Sequence, residues 1–127
     1  ITVASPNGYE VSPAVVQRAV SLGGKVRTVK TPEEAVKDTH IIFTDTWVSM
    51  GDEAERAKRL SAFQGFTVDD RLLRFAMPDA RVLHCLPAHR GEEITGDVID
   101  GDQSLVWDEA ENRLHAQKAL LVKLLKK

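Results

Sequence analysis

With 127 residues, 43% of them hydrophobic, the chain fits one domain with a genuine core and leaves little room for two. Its 17 basic and 19 acidic residues nearly cancel, which argues against a nucleic acid or an anionic membrane as the main partner. A single cysteine, Cys85, excludes an internal disulfide and suits a reducing, cytoplasmic compartment, and no apolar run approaches the ~20 residues of a membrane span.

Short β-rich runs alternate with helical patterns along the chain. This predicts an α/β fold: a three-layer sandwich with a mostly parallel, Rossmann-like sheet flanked by helices. Residues 1–4 read as the first strand, with no signal peptide in view. There is no initiator methionine, so the chain is expected to be a piece of something longer. Ser12 before Pro13 predicts a capped helix start, an apolar stripe follows through Val15, Val16, Ala19, Val20 and Leu22, and Gly23-Gly24 supplies a left-handed stop. A second strand is expected over 25–29. Thr31-Pro32-Glu33-Glu34 carries a cap, a first-position proline and the glutamate of a capping box for a short helix to about residue 37. The third strand, 40–44, ends in a polar loop. Asp52-Glu53-Ala54-Glu55 reads as another capping box, opening a helix with Ala57, Leu60 and Phe63 inward. Thr67 is expected to cap a helix carrying Leu72, Leu73 and Phe75, which Pro78 ends. Residues 80–85 form a fourth strand, and 88–103 read as loop with helical turns. Residues 104–107 are expected to form a last short strand, followed by a helix from Glu109 to the C-terminus. The apolar residues of that helix spread wider than one ~100° stripe, so a second partner surface is implied.

Three stretches carry candidate chemistry. The first is Asp45-Thr46-Trp47-Val48-Ser49-Met50-Gly51, leaving the carboxyl end of a buried strand, where open α/β sheets place their ligands. Its plainer reading is a strand-to-helix connection with Asp45 or Asp52 as a cap. The second is His84-Cys85-Leu86-Pro87-Ala88-His89-Arg90. A cysteine near histidines and an arginine can act as nucleophile, proton acceptor or ligand-binding thiolate; residue types alone slightly favour an ordinary buried cysteine and a satisfied strand histidine. Zinc on His84, Cys85 and His89 is disfavoured, because adjacent donors on a strand point to opposite faces and no second cluster completes a tetrahedron. The third is Glu109-Ala110-Glu111-Asn112-Arg113, where Arg113 either reaches the carboxyl edge of the sheet or pairs with Glu109 at i to i+4. Trp47 and Trp107 are most simply packing residues. Glycine-rich phosphate loops and Ser-His-Asp spacing are absent.

In this order and spacing the three stretches resemble the ornithine carbamoyltransferases. Thr44 to Gly51 is similar to that family's ornithine loop, His84-Cys85-Leu86-Pro87 to its cysteine motif, and Glu109 to Arg113 to its C-terminal arginine motif. The likeness runs from Ser5-Pro6-Asn7-Gly8-Tyr9-Glu10 to Leu125. It implies transfer of a carbamoyl group from carbamoyl phosphate to the δ-amine of ornithine, a step of arginine biosynthesis or the urea cycle, with no metal or organic cofactor. It further implies that Asp45 and Ser49 bind the α-amino group and the Met50 backbone N–H the α-carboxylate. Cys85, with thiolate character, would meet the δ-amine and help accept its proton. Arg113 would polarise the carbonyl, the Leu86 carbonyl would bind the carbamoyl NH₂, and His84 would support the loop.

The departures from the family are equally definite. Its N-terminal carbamoyl-phosphate domain and Ser-Thr-Arg-Thr motif have no counterpart here, nor does the segment that opens its second domain. Residues 1–127 are therefore expected to be the ornithine-binding domain without its first strand, leaving a gap between the strands at 1–4 and 40–44. The partners implied are ornithine, carbamoyl phosphate, the missing N-terminal domain and, in the complete enzyme, two further copies in a homotrimer. The alternatives are a sister transcarbamylase using another amine, against which Ser49-Met50-Gly51 argues, and a non-catalytic α/β binding domain.

Overall fold

A computed structural model describes residues 1–126. Four short strands, all paired in parallel, alternate with helices: β1 (Thr2–Ala4), α1 (Pro13–Ser21), β2 (Arg27–Val29), α2 (Pro32–Val36), β3 (Ile41–Thr44), α3 (Arg56–Ala62), α4 (Asp70–Leu73), β4 (Arg81–His84), α5 (Gly96–Ile99) and α6 (Val106–Leu125). The expected α/β, Rossmann-like architecture is present. The strands, however, form two separate ladders rather than one sheet: β1 with β2, and β3 with β4. Between the facing edges of β1 and β3 lies a cavity of ≈ 670 Å³, lined by Thr2, Ala4, Ile42, Thr44, Val68 and Leu72 among others. Both edges leave backbone groups without a ladder partner among the described residues.

The core collects on the β3–β4 side. Ile42 and Val82 face each other across that ladder, and Val36, Val68, Leu72, Ile94, Val98, Ile99 and Val106 close around them. Strand β4 is paired on both edges. Arg81–His84 matches Ile41–Thr44 on one side, and on the other the Val82 N–H donates to Gln103 O at 2.8 Å while Leu105 N–H donates to Val82 O at 2.9 Å. Val82 is accordingly fully buried.

Local chemistry accounts for most element ends. Helix α1 stops in a Schellman turn: Gly24 N–H reaches Ala19 O and Gly23 N–H reaches Val20 O, both at 2.9 Å, with Gly23 at φ +87°. The Thr31 hydroxyl caps α2 by accepting the Glu34 N–H. Other ends differ from expectation. Ser12 caps α1 through its backbone carbonyl, not its hydroxyl. Asp69 rather than Thr67 caps α4, accepting the Leu72 N–H at 2.8 Å, because Val68 is drawn into an extended pairing with Ile94. Phe75 falls outside that helix. Asp52 makes no cap; its carboxylate pairs with Arg59 at 3.0 Å and a 3-10 turn over Glu53–Glu55 precedes α3. Leu60 and Phe63 are half-buried, but Ala57 is exposed.

The strand expected over 104–107 reduces to a single bridge between Ser104 and Val82. There the Ser104 hydroxyl accepts the Val106 N–H, which turns the chain into α6 three residues earlier than expected. Trp107 is exposed rather than packed, whereas Trp47 is buried and stacks on Phe63. Among the described residues of α6, Val106 alone is buried, while Leu114, Leu120, Leu121, Leu124 and Leu125 stand in solvent. The wide apolar spread thus leaves an uncovered surface.

Candidate active site

The register of the β3–β4 ladder assembles the site. Thr44 is paired with His84, so the residues that follow, Asp45 and Cys85, leave the sheet side by side at its carboxyl edge. Cys85 Sγ–H donates to Asp45 Oδ1 at 3.1 Å, joining two stretches that lie 40 residues apart. Asp45 Oδ1 also accepts the Thr46 N–H at 2.7 Å, which fixes the carboxylate. Cys85 is exposed, not the buried small hydrophobe that residue types alone favoured.

The hydrogen bond of the Cys85 thiol to Asp45, its partial burial, and the charges of Asp45 and Glu109 all push its pKa above the ordinary 9.0. This direction runs against the thiolate character expected of Cys85. The sign for stability follows. Because the folded pKa is the raised one, the unfolded chain loses this proton first, and the contribution present below pH 9 is lost as pH rises through the folded value.

The loop after β3 is anchored at one end and open at its tip. Trp47 is buried against Phe63, and Arg59 reaches from α3 to the Trp47 carbonyl while pairing with Asp52 and Glu55. Gly51, at φ +95°, gives its N–H to the Glu53 carboxylate, a conformation that glycine takes without steric cost. Between these anchors Ser49 is exposed and Met50 is 95% exposed. The Met50 N–H has no acceptor among the described residues, so the backbone group assigned to a carboxylate is open to one.

The loop after β4 is held from beneath. His84 is buried, and its Nδ1 accepts the Leu86 N–H at 2.9 Å while Nε2 lies 3.1 Å from Glu93 Oε1. Leu86 sits at φ +55° and is followed by a cis peptide bond to Pro87. The donor atoms of Asp45, His84 and Cys85 fall within 4.8 Å of one another. Strand alternation therefore does not separate His84 from Cys85, as was expected, because β4 ends at His84. Both ring nitrogens of His84 are nonetheless already engaged. A second group, His89, Glu92 and Glu93, is equally close, but Glu92 is taken by Arg56.

Arg113 is exposed on α6 and forms no ion pair among the described residues, so the alternative reading, a Glu109–Arg113 pair, is not formed. It stands one helical turn beyond Glu109, whose charge acts on Cys85. Sequence reasoning missed Glu93, which is fully buried; Glu109, read there as the start of the arginine motif, carries a buried oxygen without a partner. Nothing in the run Glu92-Glu93 distinguishes the surface acid from the buried one.

The aspartate/ornithine carbamoyltransferase Asp/Orn-binding domain model matches residues 1–124. The chain belongs to this family. An ornithine carbamoyltransferase of Methanoculleus marisnigri is 62% identical over 125 residues, which are 98% of this chain and 40% of that protein. One from Archaeoglobus fulgidus is 54% identical over the whole chain and 41% of its own length. Among solved structures, the Pyrococcus furiosus ornithine carbamoyltransferase superposes with a TM-score of 0.84 at 51% identity, covering 95% of this chain and 40% of that one. The anabolic enzyme of Campylobacter jejuni gives 0.86 at 38%, covering 98% and 42%. The chain thus spans about two fifths of the length of the carbamoyltransferases it matches, and no described helix is long and apolar enough to cross a membrane.

Proposed function

We propose that this chain is the ornithine-binding part of an ornithine carbamoyltransferase. The observation that carries the reading is the Cys85–Asp45 hydrogen bond at the carboxyl edge of β3 and β4. It places an acid and a thiol from two family motifs where one small amino acid can touch both. In the complete enzyme the neutral δ-amine of ornithine attacks the carbonyl carbon of carbamoyl phosphate. The N–C bond forms, the C–O bond to phosphate breaks, and the amine gives up a proton, leaving citrulline and phosphate. Asp45 and Ser49 bind the α-amino group and the Met50 N–H the α-carboxylate, so that the δ-amine is aimed at the carbonyl. Cys85 meets the δ-amine, and its proton already rests toward Asp45, so a proton from the amine can follow along the same pair. Arg113 polarises the carbonyl, and the Leu86 carbonyl binds the carbamoyl NH₂.

The remainder of the protein supplies what this part lacks: a carbamoyl-phosphate domain, a strand for the cavity between β1 and β3, and a cover for α6. The complete enzyme is a homotrimer of the cytoplasm. Calorimetric titration of the 127-residue chain with ornithine or norvaline is expected to give weak saturable binding, while ornithine plus carbamoyl phosphate gives no citrulline. Binding of putrescine or an acetylated ornithine in preference to ornithine would move the reading to a sister transcarbamylase. Turnover by the chain alone would overturn the division of labour.

A further inference from the structure

The carboxylate of Glu93 stands apart from the groups assigned above. It is fully buried and lies behind the reacting face rather than on it. Its Oε1 accepts the His89 N–H at 2.6 Å and faces His84 Nε2 at 3.1 Å. Because His84 Nδ1 already accepts the Leu86 N–H, that nitrogen carries no proton. His84 is therefore the Nε2–H tautomer, donating to Glu93. Leu86, in turn, sits in the left-handed region, where a branched side chain rests only if its surroundings hold it there. A line of hydrogen bonds thus runs from Glu93 through the His84 ring to the Leu86 peptide, beside Cys85.

A second line leaves the same acid. Glu93 Oε1 holds the His89 backbone N–H, the His89 ring Nδ1 lies 3.1 Å from the Thr46 hydroxyl, and that hydroxyl donates to the Val48 carbonyl at 3.2 Å. The backbone of Glu93 is itself pinned, since its carbonyl accepts the Val68 N–H at 2.9 Å. We propose that Glu93 is a positioning residue: it sets the tautomer of His84, through it the orientation of the Cys85–Leu86 peptide, and it ties the loop after β4 to the loop after β3. Its meaning for catalysis rests on the transferase reading, in which Cys85, on one side of that peptide, meets the δ-amine, and the Leu86 carbonyl, on the peptide that follows, holds the carbamoyl NH₂.

Stability alone does not account for the aim of this acid: Oε2 is buried without a hydrogen-bond partner, while loss of the carboxylate would leave the His84 Nε2–H and the His89 N–H without their acceptor. What the carboxylate adds is a fixed acceptor aimed at one ring nitrogen and one backbone N–H.

The test compares Glu93→Gln, which keeps an acceptor oxygen, with Glu93→Met, which keeps volume alone. Nitrogen-15 spectra of histidine-labelled chain are expected to show His84 as the Nε2–H tautomer in the unaltered protein and in Glu93→Gln, and a mixture in Glu93→Met. In the complete enzyme carrying this domain, Glu93→Met is expected to lower kcat ~10²-fold, the order of effect of a ~1 Å misplacement. Its KM for ornithine should change little while its melting temperature falls, because two donors lose their acceptor, and Glu93→Gln should recover most of the rate and of the stability. An Nδ1–H tautomer in the unaltered protein, or an unchanged kcat in folded Glu93→Met, overturns the proposal. Absence of carbamoyl transfer in the unaltered enzyme would defeat the transferase reading, and the spectra would still decide whether Glu93 sets the His84 ring.

Discussion

Replacing Asp45 with alanine is expected to weaken ornithine binding ~10–100-fold, the ~1.5–3 kcal/mol typical of a hydrogen bond to a charged group, and at the same time to make Cys85 more reactive. The first effect comes from removing the carboxylate that would face the α-ammonium. The second has the opposite sign, because the same carboxylate is the foremost cause holding the thiol above its ordinary pKa. Without it the thiolate fraction at a fixed pH rises, and alkylation by iodoacetamide speeds up. Cys85 is the sole cysteine, so labelling reports on this site alone. Calorimetry and labelling rates on the same two proteins check both halves. Slower labelling in Asp45→Ala would mean that the Asp45 contact does not govern the thiol.

Ile94→Ala is expected to destabilise the fold by ~2–5 kcal/mol, the range for truncating a buried isoleucine or leucine. Against the ~5–15 kcal/mol that holds a domain together, that is a large fraction. Ile94 is fully buried and pairs with both Val68 and Arg90, so the side chain fills the space beneath the loop after β4 while its backbone fastens that loop to the segment before α4. The urea midpoint should fall sharply. Leu121→Ala is the matched control. Leu121 is 58% exposed, and its loss in this chain should stay within ~0.5 kcal/mol. In a complete enzyme, where a second domain would cover α6, the same change should cost more. A loss below ~1 kcal/mol for Ile94→Ala would remove Ile94 from the core.

Much of this architecture is legible in the residues. Ser5-Pro6 after an apolar opening, Gly23-Gly24, and the runs Ile41-Ile42-Phe43 and Val82-Leu83-His84 mark strand and helix ends by local stereochemistry, and local stereochemistry decided them. Features set by distant partners were hidden. Thr67 looks like a cap until Val68 is claimed by Ile94, which moves the helix start to Asp69. Ser104 looks like a strand opener until its hydroxyl captures the Val106 N–H. Of the candidate site, the place of Asp45 and Cys85 was readable because each follows an apolar strand, while their roles were suggested by the family resemblance alone. The direction of the Cys85 shift was not readable, since it depends on an acid 40 positions away. Glu93 was unreadable for the same reason: its burial is decided by Val68 and His84, not by its neighbours in sequence.

The pairing of Thr44 with His84 has a consequence for how such a site can change. Consecutive residues of a strand advance ~3.3 Å and alternate faces, so one residue inserted into either strand would carry Asp45 or Cys85 away from its counterpart and turn it over. The tip at Ser49 and Met50 is under no such constraint: it is held through the Val48 and Ser49 carbonyls, which accept the Thr46 hydroxyl and the Asp52 N–H, and the Ser49 and Met50 side chains make no hydrogen bond among the described residues. The tip's length and composition are therefore free to drift, whereas the acid–thiol pair is inherited whole or lost whole.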